Sequence, residues 1–244
     1  MPEGPSIVIL KEEAAPLFAG KKVIAVHGNS KIDIKRCENK KVTAFKSWGK
    51  HFLICFDDFT LRIHFLLFGT YRINERKESP VRLNLTFEDG EINFYACSIK
   101  ILEGDINAIY SWSDDLMNDN WDAAAAESKL SKIPDKMICD ALLEQDIFSG
   151  LGNIIKNEVL YRIRIHPESL TGKIPPEKIR ELVEESRTYS FQFLEWKKKF
   201  ELKKHWLAHT KKTCLRCQLP FTKKHTGTKK RRSFFCENCQ KLHV

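Results

Sequence analysis

The sequence predicts an α+β protein: an N-terminal helix laid on an antiparallel β-sandwich or barrel, then an α-helical half ending in a cysteine-bearing module. Three observations carry this. Six short runs rich in β-branched and aromatic residues lie between Lys41 and Ile101, apolar residues recur at helical spacing from Ala123 onward, and four of the eight cysteines form two Cys-x2-Cys pairs near the C-terminus. With 244 residues and 42% hydrophobic content, the chain is long enough to bury a sizeable core, as one large domain or two smaller ones with an appendage.

Pro5 to Leu17 reads as a helix, with Pro near its start and Gly20 near its end. The strand-like runs are 42–45, 51–56, 60–65, 70–73, 81–87 and 92–97. Asp57-Asp58 and Asp89-Gly90 supply tight polar turns of the kind antiparallel hairpins need. Residues 105–122 show no clear period and read as a connection. In the second half Ile138, Leu142 and Leu143 share one helix face, and Ile179, Leu182 and Val183 share another on a helix opened by Pro176. The expected organisation is therefore an N-terminal β-sandwich domain over 1–112, a linker over 113–123, a helical domain over 124–208 and a zinc finger over 209–244. No internal repeat is visible.

Forty-one Lys and Arg against 32 Asp and Glu give a formal charge of +9, which favours acidic partners, nucleic acid among them. The cations concentrate late, in Lys197-Lys198-Lys199, Lys203-Lys204, Lys211-Lys212 and the run Lys223 to Arg232, where a solvated basic surface is the bland alternative. No stretch approaches the roughly 20 apolar residues of a membrane span, and no signal-peptide pattern opens the chain. An intracellular protein is expected, in the cytoplasm or nucleoid of a bacterium or the nucleus of a eukaryote. Cys37, Cys55, Cys97 and Cys139 stand alone and read as reduced packing residues.

Cys214-x2-Cys217 and Cys236-x2-Cys239 are separated by 18 residues, the knuckle spacing that gathers four thiolates around one tetrahedral zinc. Four protein ligands leave no position open for water, so the ion is expected to be structural. Leu219 to Thr222 and Ser233 to Phe235 read as strands flanking a basic tip, Lys223 to Arg232, suited to gripping phosphate. Taken alone, Lys229-Lys230-Arg231-Arg232 reads equally as a localisation signal or a solvated face.

Gly150 and Gly152 mark a tight turn before Asn153, which stands at a helix start where free N–H groups and the helix dipole favour an anion such as DNA phosphate. Most Gly-Asn helix starts are mere caps. At the N-terminus, a small residue after Met1 permits removal of Met1, leaving Pro2 as a free secondary amine. Such an amine has a reference pKa of about 8, so a useful fraction is neutral at physiological pH and able to attack an electrophilic carbon. Glu3 beside it can exchange protons with a sugar oxygen or a departing base. In isolation a Pro-Glu start is a helix lead-in.

Together, Pro2-Glu3-Gly4-Pro5, Gly49-Lys50-His51 in a strand, the Gln145 to Pro167 segment and the four-cysteine module resemble, in order and over essentially the full length, the formamidopyrimidine-DNA glycosylase and endonuclease VIII family. The resemblance implies that the Gln145 to Pro167 segment is a helix-two-turn-helix and that the finger is a β-hairpin with zinc at its base. It also implies a bifunctional DNA glycosylase and lyase of base excision repair that flips a damaged nucleotide from the duplex. Pro2 then attacks C1′, with Glu3 as general acid and base, and the resulting Schiff base promotes β,δ-elimination. Lys50 and Asn153 are implied to hold phosphates, with Lys50 beside the reaction; His64 matches a further phosphate contact. Arg231, five residues before the third cysteine, matches the finger arginine, with Arg232 as its competitor. Leu67, in the loop His64 to Gly69, matches an apolar wedge, although such a run is ordinarily core strand.

Two departures bear on the branch. Ser6 stands where many relatives carry a second glutamate, and the strand around Ala96 to Lys100 lacks the Asp-Pro-Arg-Arg-Phe stretch of the formamidopyrimidine branch. The first removes an auxiliary acid; the second, with the His64 loop, favours the endonuclease VIII branch and oxidised pyrimidines over oxidised purines. A monomer acting on damaged DNA with one zinc is expected. A non-catalytic lesion-sensing module explains the finger without Pro2, Glu3 and Lys50, and a zinc-ribbon RNA-binding protein explains the finger alone.

Overall fold

The computed structural model describes residues 2–244, and the chain forms two compact units, one ending at Tyr110 and the other Ser111–Val244. The boundary falls inside the segment without sequence period. That segment is not bare loop, since Ile106–Ile109 makes a helical turn capped by Asp105 and Trp112–Asp114 a 3-10 turn.

The first unit opens with helix α1 (Gly4–Phe18), entered through extended Glu3 and with proline in its first turn, where a missing N–H costs nothing. Ile7, Leu10, Ala14 and Phe18 are spaced to fall on one stripe and are all buried, and Phe18 stacks on Phe87 with ring centroids 4.4 Å apart. Eight strands follow: β1 (Ala25–His27), β2 (Ala44–Trp48), β3 (His51–Cys55), β4 (Phe59–His64), β5 (Thr70–Ile73), β6 (Leu83–Phe87), β7 (Gly90–Tyr95) and β8 (Ser98–Glu103). They form two antiparallel sheets of four, in the orders β2-β3-β4-β8 and β1-β6-β7-β5. One apolar core joins Phe52, Ile54, Leu61 and Ile63 of the first sheet with Val26, Leu85, Ile92 and Phe94 of the second. β1 and β8 complete the sheets beyond the six apolar runs. β1 is too short to show alternation, and β8 interleaves Lys100 and Glu103 with Ile99 and Ile101.

The short helix Ile106–Ile109 of the first unit is α2; in the second unit, helices α3 (Ala123–Ser131), α4 (Ile138–Ala141), α5 (Asn153–Arg162) and α6 (Pro176–Lys198) enclose a core that includes Leu130, Ile138, Leu142, Phe148, Ile155, Val159, Leu182 and Phe193. Asp122 caps α3 by accepting from the N–H of Ala125. The unit ends in a hairpin of β9 (Thr222–Thr226) and β10 (Arg231–Phe235), paired with Arg231 opposite Thr226. The strands reach further into the basic run than its composition suggests, leaving only residues 227–230 as the tip. Within β10 Ser233 and Phe235 share one face and are buried, while Arg232 on the other face is exposed. Among the described residues, no helix is long and apolar enough to cross a membrane.

Candidate active site and metal centre

Pro2 is half-buried and Glu3 is 1% exposed, so the carboxylate sits inside the fold directly ahead of α1, where the helix dipole favours negative charge. Ser6 donates its N–H to the Glu3 carbonyl at 2.8 Å. Met1, whose removal the amine at Pro2 requires, lies outside the described residues.

Lys50 is not within a strand. Trp48 and His51 pair directly, so Gly49-Lys50 is the two-residue turn of the β2-β3 hairpin. Gly49 alone takes a positive φ, +52°, the pattern of a II′ turn with glycine first. The turn lacks the Asn or Asp that would have marked it. It places half-buried Lys50 beside His51, which faces His64 across the β3-β4 ladder with the rings 5.4 Å apart edge to face. Tyr110 closes the group, its hydroxyl 3.2 Å from His51 Nδ1 and its ring 4.9 Å from that of Trp48.

Burial pushes His51 down to about 3, and Arg62, His64 and Lys50 push the same way. His64 is lowered too, by burial first and then by Lys50 and Arg62. Lys50 and Arg62 therefore make the surroundings of His51 and His64 electropositive, and a bound anion would relieve the repulsion. Arg62, which the sequence reading passed over, also keeps its Nε buried without a hydrogen-bond partner. Because His51 is held neutral, its contribution to stability is complete above the ordinary 6.5 and lost as pH falls from there toward about 3. Denaturation midpoints across that range should fall more steeply for the parent protein than for a His51→Asn variant, which keeps an acceptor but cannot charge; parallel curves would contradict this.

Between β4 and β5, Gly69 donates to the Phe65 carbonyl at 2.8 Å and Leu66 adopts φ +54°, closing a tight loop. A Cβ on Gly69 would stand 2.1 Å from that carbonyl oxygen, so only glycine fits. The run is thus not core strand: Leu66, Leu67 and Phe68 are 48%, 51% and 84% exposed. Phe68, unremarked in the sequence, is the most exposed of the three.

In the second unit, Gln145 braces the glycine turn by donating to the Leu143 and Leu151 carbonyls and accepting from the N–H of Gly150. Asn153 then begins α5, as its place after Gly152 suggests. Its side-chain amide, however, donates to the Arg232 carbonyl at 2.9 Å, while its Oδ1 is buried without a partner. Lys156 and Asn157, one helical turn on, reach the same strand, Lys156 Nζ lying 2.8 Å from Ser233 Oγ. Asp140 on α4 accepts from the Thr228 N–H and hydroxyl and from the Lys229 N–H, holding the finger tip. Arg231 is half-buried at the start of β10, and Arg232 is exposed.

The Sγ atoms of Cys214, Cys217, Cys236 and Cys239 lie within 4.8 Å of one another, with Cys214 and Cys239 3.7 Å apart. A tetrahedral zinc with bonds of about 2.3 Å separates its sulfurs by about 3.8 Å, so the four thiols fit that ion. Asn238 donates to Cys217 Sγ at 3.2 Å, and the Tyr161 hydroxyl is 3.4 Å from Cys214 Sγ, polar support of the kind that orients metal ligands.

Residues 1–98 match the formamidopyrimidine-DNA glycosylase N-terminal domain, and residues 113–190 match the formamidopyrimidine-DNA glycosylase H2TH domain. The chain belongs to the formamidopyrimidine-DNA glycosylase and endonuclease VIII family. Family members of both kinds are similar to it. Mouse endonuclease 8-like 3 is 30% identical over 203 residues, covering 79% of this chain and 33% of its own. The formamidopyrimidine-DNA glycosylase of Halalkalibacterium halodurans is 26% identical over an alignment covering 99% of this chain and all of its own. The chain spans between 33% and 40% of the length of the endonuclease 8-like 3 relatives. The family fold extends to the whole chain: the Lactococcus lactis formamidopyrimidine-DNA glycosylase, solved non-covalently bound to DNA containing an AP site, superposes with a TM-score of 0.86 at 23% identity, covering 98% of this chain and 99% of that one.

Proposed function

We propose that this chain is a bifunctional DNA glycosylase and AP lyase of base excision repair that excises oxidised bases, pyrimidines in preference to purines. The observation that carries the proposal is a Pro2 followed by a buried Glu3 at the head of α1, in a chain whose first 98 residues match a glycosylase N-terminal domain. The Pro2 nitrogen attacks C1′ of the flipped nucleotide, the base departs with a proton supplied through Glu3, and the iminium formed makes the C2′ hydrogen acidic. Loss of that proton expels the 3′ phosphate, and a second elimination expels the 5′ phosphate. Lys50 and His64, in the electropositive surroundings of Arg62, and Asn153 and Arg231, at the α5-β10 junction, take the phosphates. Leu67, on the exposed loop, fills the vacated stack. One zinc on Cys214, Cys217, Cys236 and Cys239 supplies no chemistry to the reaction and fixes the finger.

The test is a panel of duplexes, each with one thymine glycol, dihydrouracil, 8-oxoguanine or abasic site, read for base release and strand nicking. Thymine glycol and dihydrouracil are expected to be released fastest, and the abasic site to be nicked. Faster release of 8-oxoguanine would reverse the substrate preference, and absence of both base release and nicking on every duplex would leave a DNA-binding module without chemistry.

A further inference from the structure

The free edge of β10 faces α5, and the Arg232 carbonyl on that edge receives three side-chain donors from one helix. Asn153, Lys156 and Asn157, at i, i+3 and i+4, approach it at 2.9, 3.5 and 3.3 Å. Asn157 goes further: its Oδ1 accepts the N–H of Phe234 at 3.1 Å, so its amide pairs with two alternate residues as a neighbouring strand would. Lys156 is fully buried, and its ammonium also donates to Ser233 Oγ, which is itself 2.6 Å from Thr226 Oγ1 on the partner strand. An apolar side chain of that length would pack helix against strand at lower desolvation cost. What the lysine adds is direction, since its hydrogen bonds to the Arg232 carbonyl and to Ser233 Oγ are made only when β10 lies in this register along α5.

We propose that Lys156 and Asn157 are positioning residues that set the register of β10 on α5 and so aim Arg231, the residue immediately before the clamped peptide, at DNA phosphate. This rests on Arg231 being the finger arginine of the proposed function. The clamp makes the grip of the finger depend on the helix that also presents Asn153, so the two phosphate contacts are built as one rigid group.

A double-mutant cycle on the full-length, zinc-loaded protein separates aim from mere stability. Lys156→Met, which keeps length and apolar contacts, is expected to raise KM for nicking of an abasic-site duplex about tenfold while kcat stays within about twofold and metal content is unchanged. Arg231→Ala is expected to do the same, and the double variant to be no worse than Arg231→Ala alone, because the lysine acts through the arginine. Multiplying effects in the double variant would overturn the proposal. An Arg231→Ala protein that nicks like the parent would overturn it together with the reading of Arg231, whereas loss of nicking by Pro2 variants tests the catalytic reading separately. Should Lys156→Met fail to fold, Asn157→Ala removes the strand-like pair instead, and the same cycle with Arg231→Ala decides.

Discussion

Retention of Met1 is expected to abolish borohydride trapping of the protein on abasic-site DNA, the largest effect any single change should have. With Met1 in place the Pro2 nitrogen is a tertiary amide, whose lone pair is delocalised into the carbonyl and cannot form an iminium. The expected loss of adduct is about 10³-fold or more. Pro2→Gly is expected to trap more weakly than the parent yet measurably, because a primary amine survives. The proline ring ties the nitrogen to the side chain and so fixes the direction of its lone pair at the start of α1, and a misplaced nucleophile costs up to about 10²-fold. Undamaged-DNA binding should be unchanged in both proteins. Trapping of the Met1-bearing protein at parental yield would remove Pro2 as the nucleophile and shift attention to a lysine amine. The same trapping run at rising pH should gain yield as the amine deprotonates, since only the neutral form attacks.

Pro2 illustrates what was legible from the sequence. Its residue type is uninformative alone, and the reading rests on its company: Lys50, a glycine turn before Asn153 and the cysteine spacing of the finger. The cysteines needed only local geometry, because each Cys-x2-Cys loop gathers its own pair. Lys156, Asn157 and Asp140 were not legible, because their partners lie on β10 and the finger tip, 75 to 89 residues away in sequence for the hydrogen bonds concerned. A polar residue on a buried helix face signals only that a partner exists. Lys50 was read into a strand since Trp-Gly-Lys-His carries one glycine and no other turn signal, and a single glycine inside an apolar run fits a bulge as well as a turn. The run Phe65 to Phe68 misleads for the opposite reason. Its composition is that of a core strand, and only the closure of Phe65 on Gly69, with Leu66 at positive φ, turns it outward.

Removal of zinc by a chelator is expected to cost DNA binding while the β-sandwich unit stays folded. The finger has little core of its own. Around the cysteines, Ala208, Cys214 and Cys236 form a small buried cluster with Tyr161 of α5, and Phe221 and Leu207 are only partly covered, while Phe234 and Phe235 are buried further along β10. Structural zinc contributes about 10–16 kcal/mol in small fingers, as much as the whole stability of an ordinary domain, so these few apolar contacts cannot replace it. The loss should be graded along the hairpin. Near the cysteines the four thiols, freed of metal, would separate and release the loops at 214–217 and 236–239. At the other end, Asp140 on residues 228 and 229 and the α5 clamp on Arg232 depend on no metal, so part of β10 should keep its place. Hydrogen exchange on the chelated protein is thus expected to show protection lost first at 210–221 and 236–244, later in β9 and β10, and not at all in β2 to β8. Affinity for abasic-site DNA should fall about tenfold or more, because β9, which pairs with β10 at Arg231, loses its anchor at the cysteines. Full affinity in protein shown to be metal-free would mean that the helical clamp alone holds Arg231 in place and that the four cysteines serve the fold of the C-terminal tail rather than the grip on DNA.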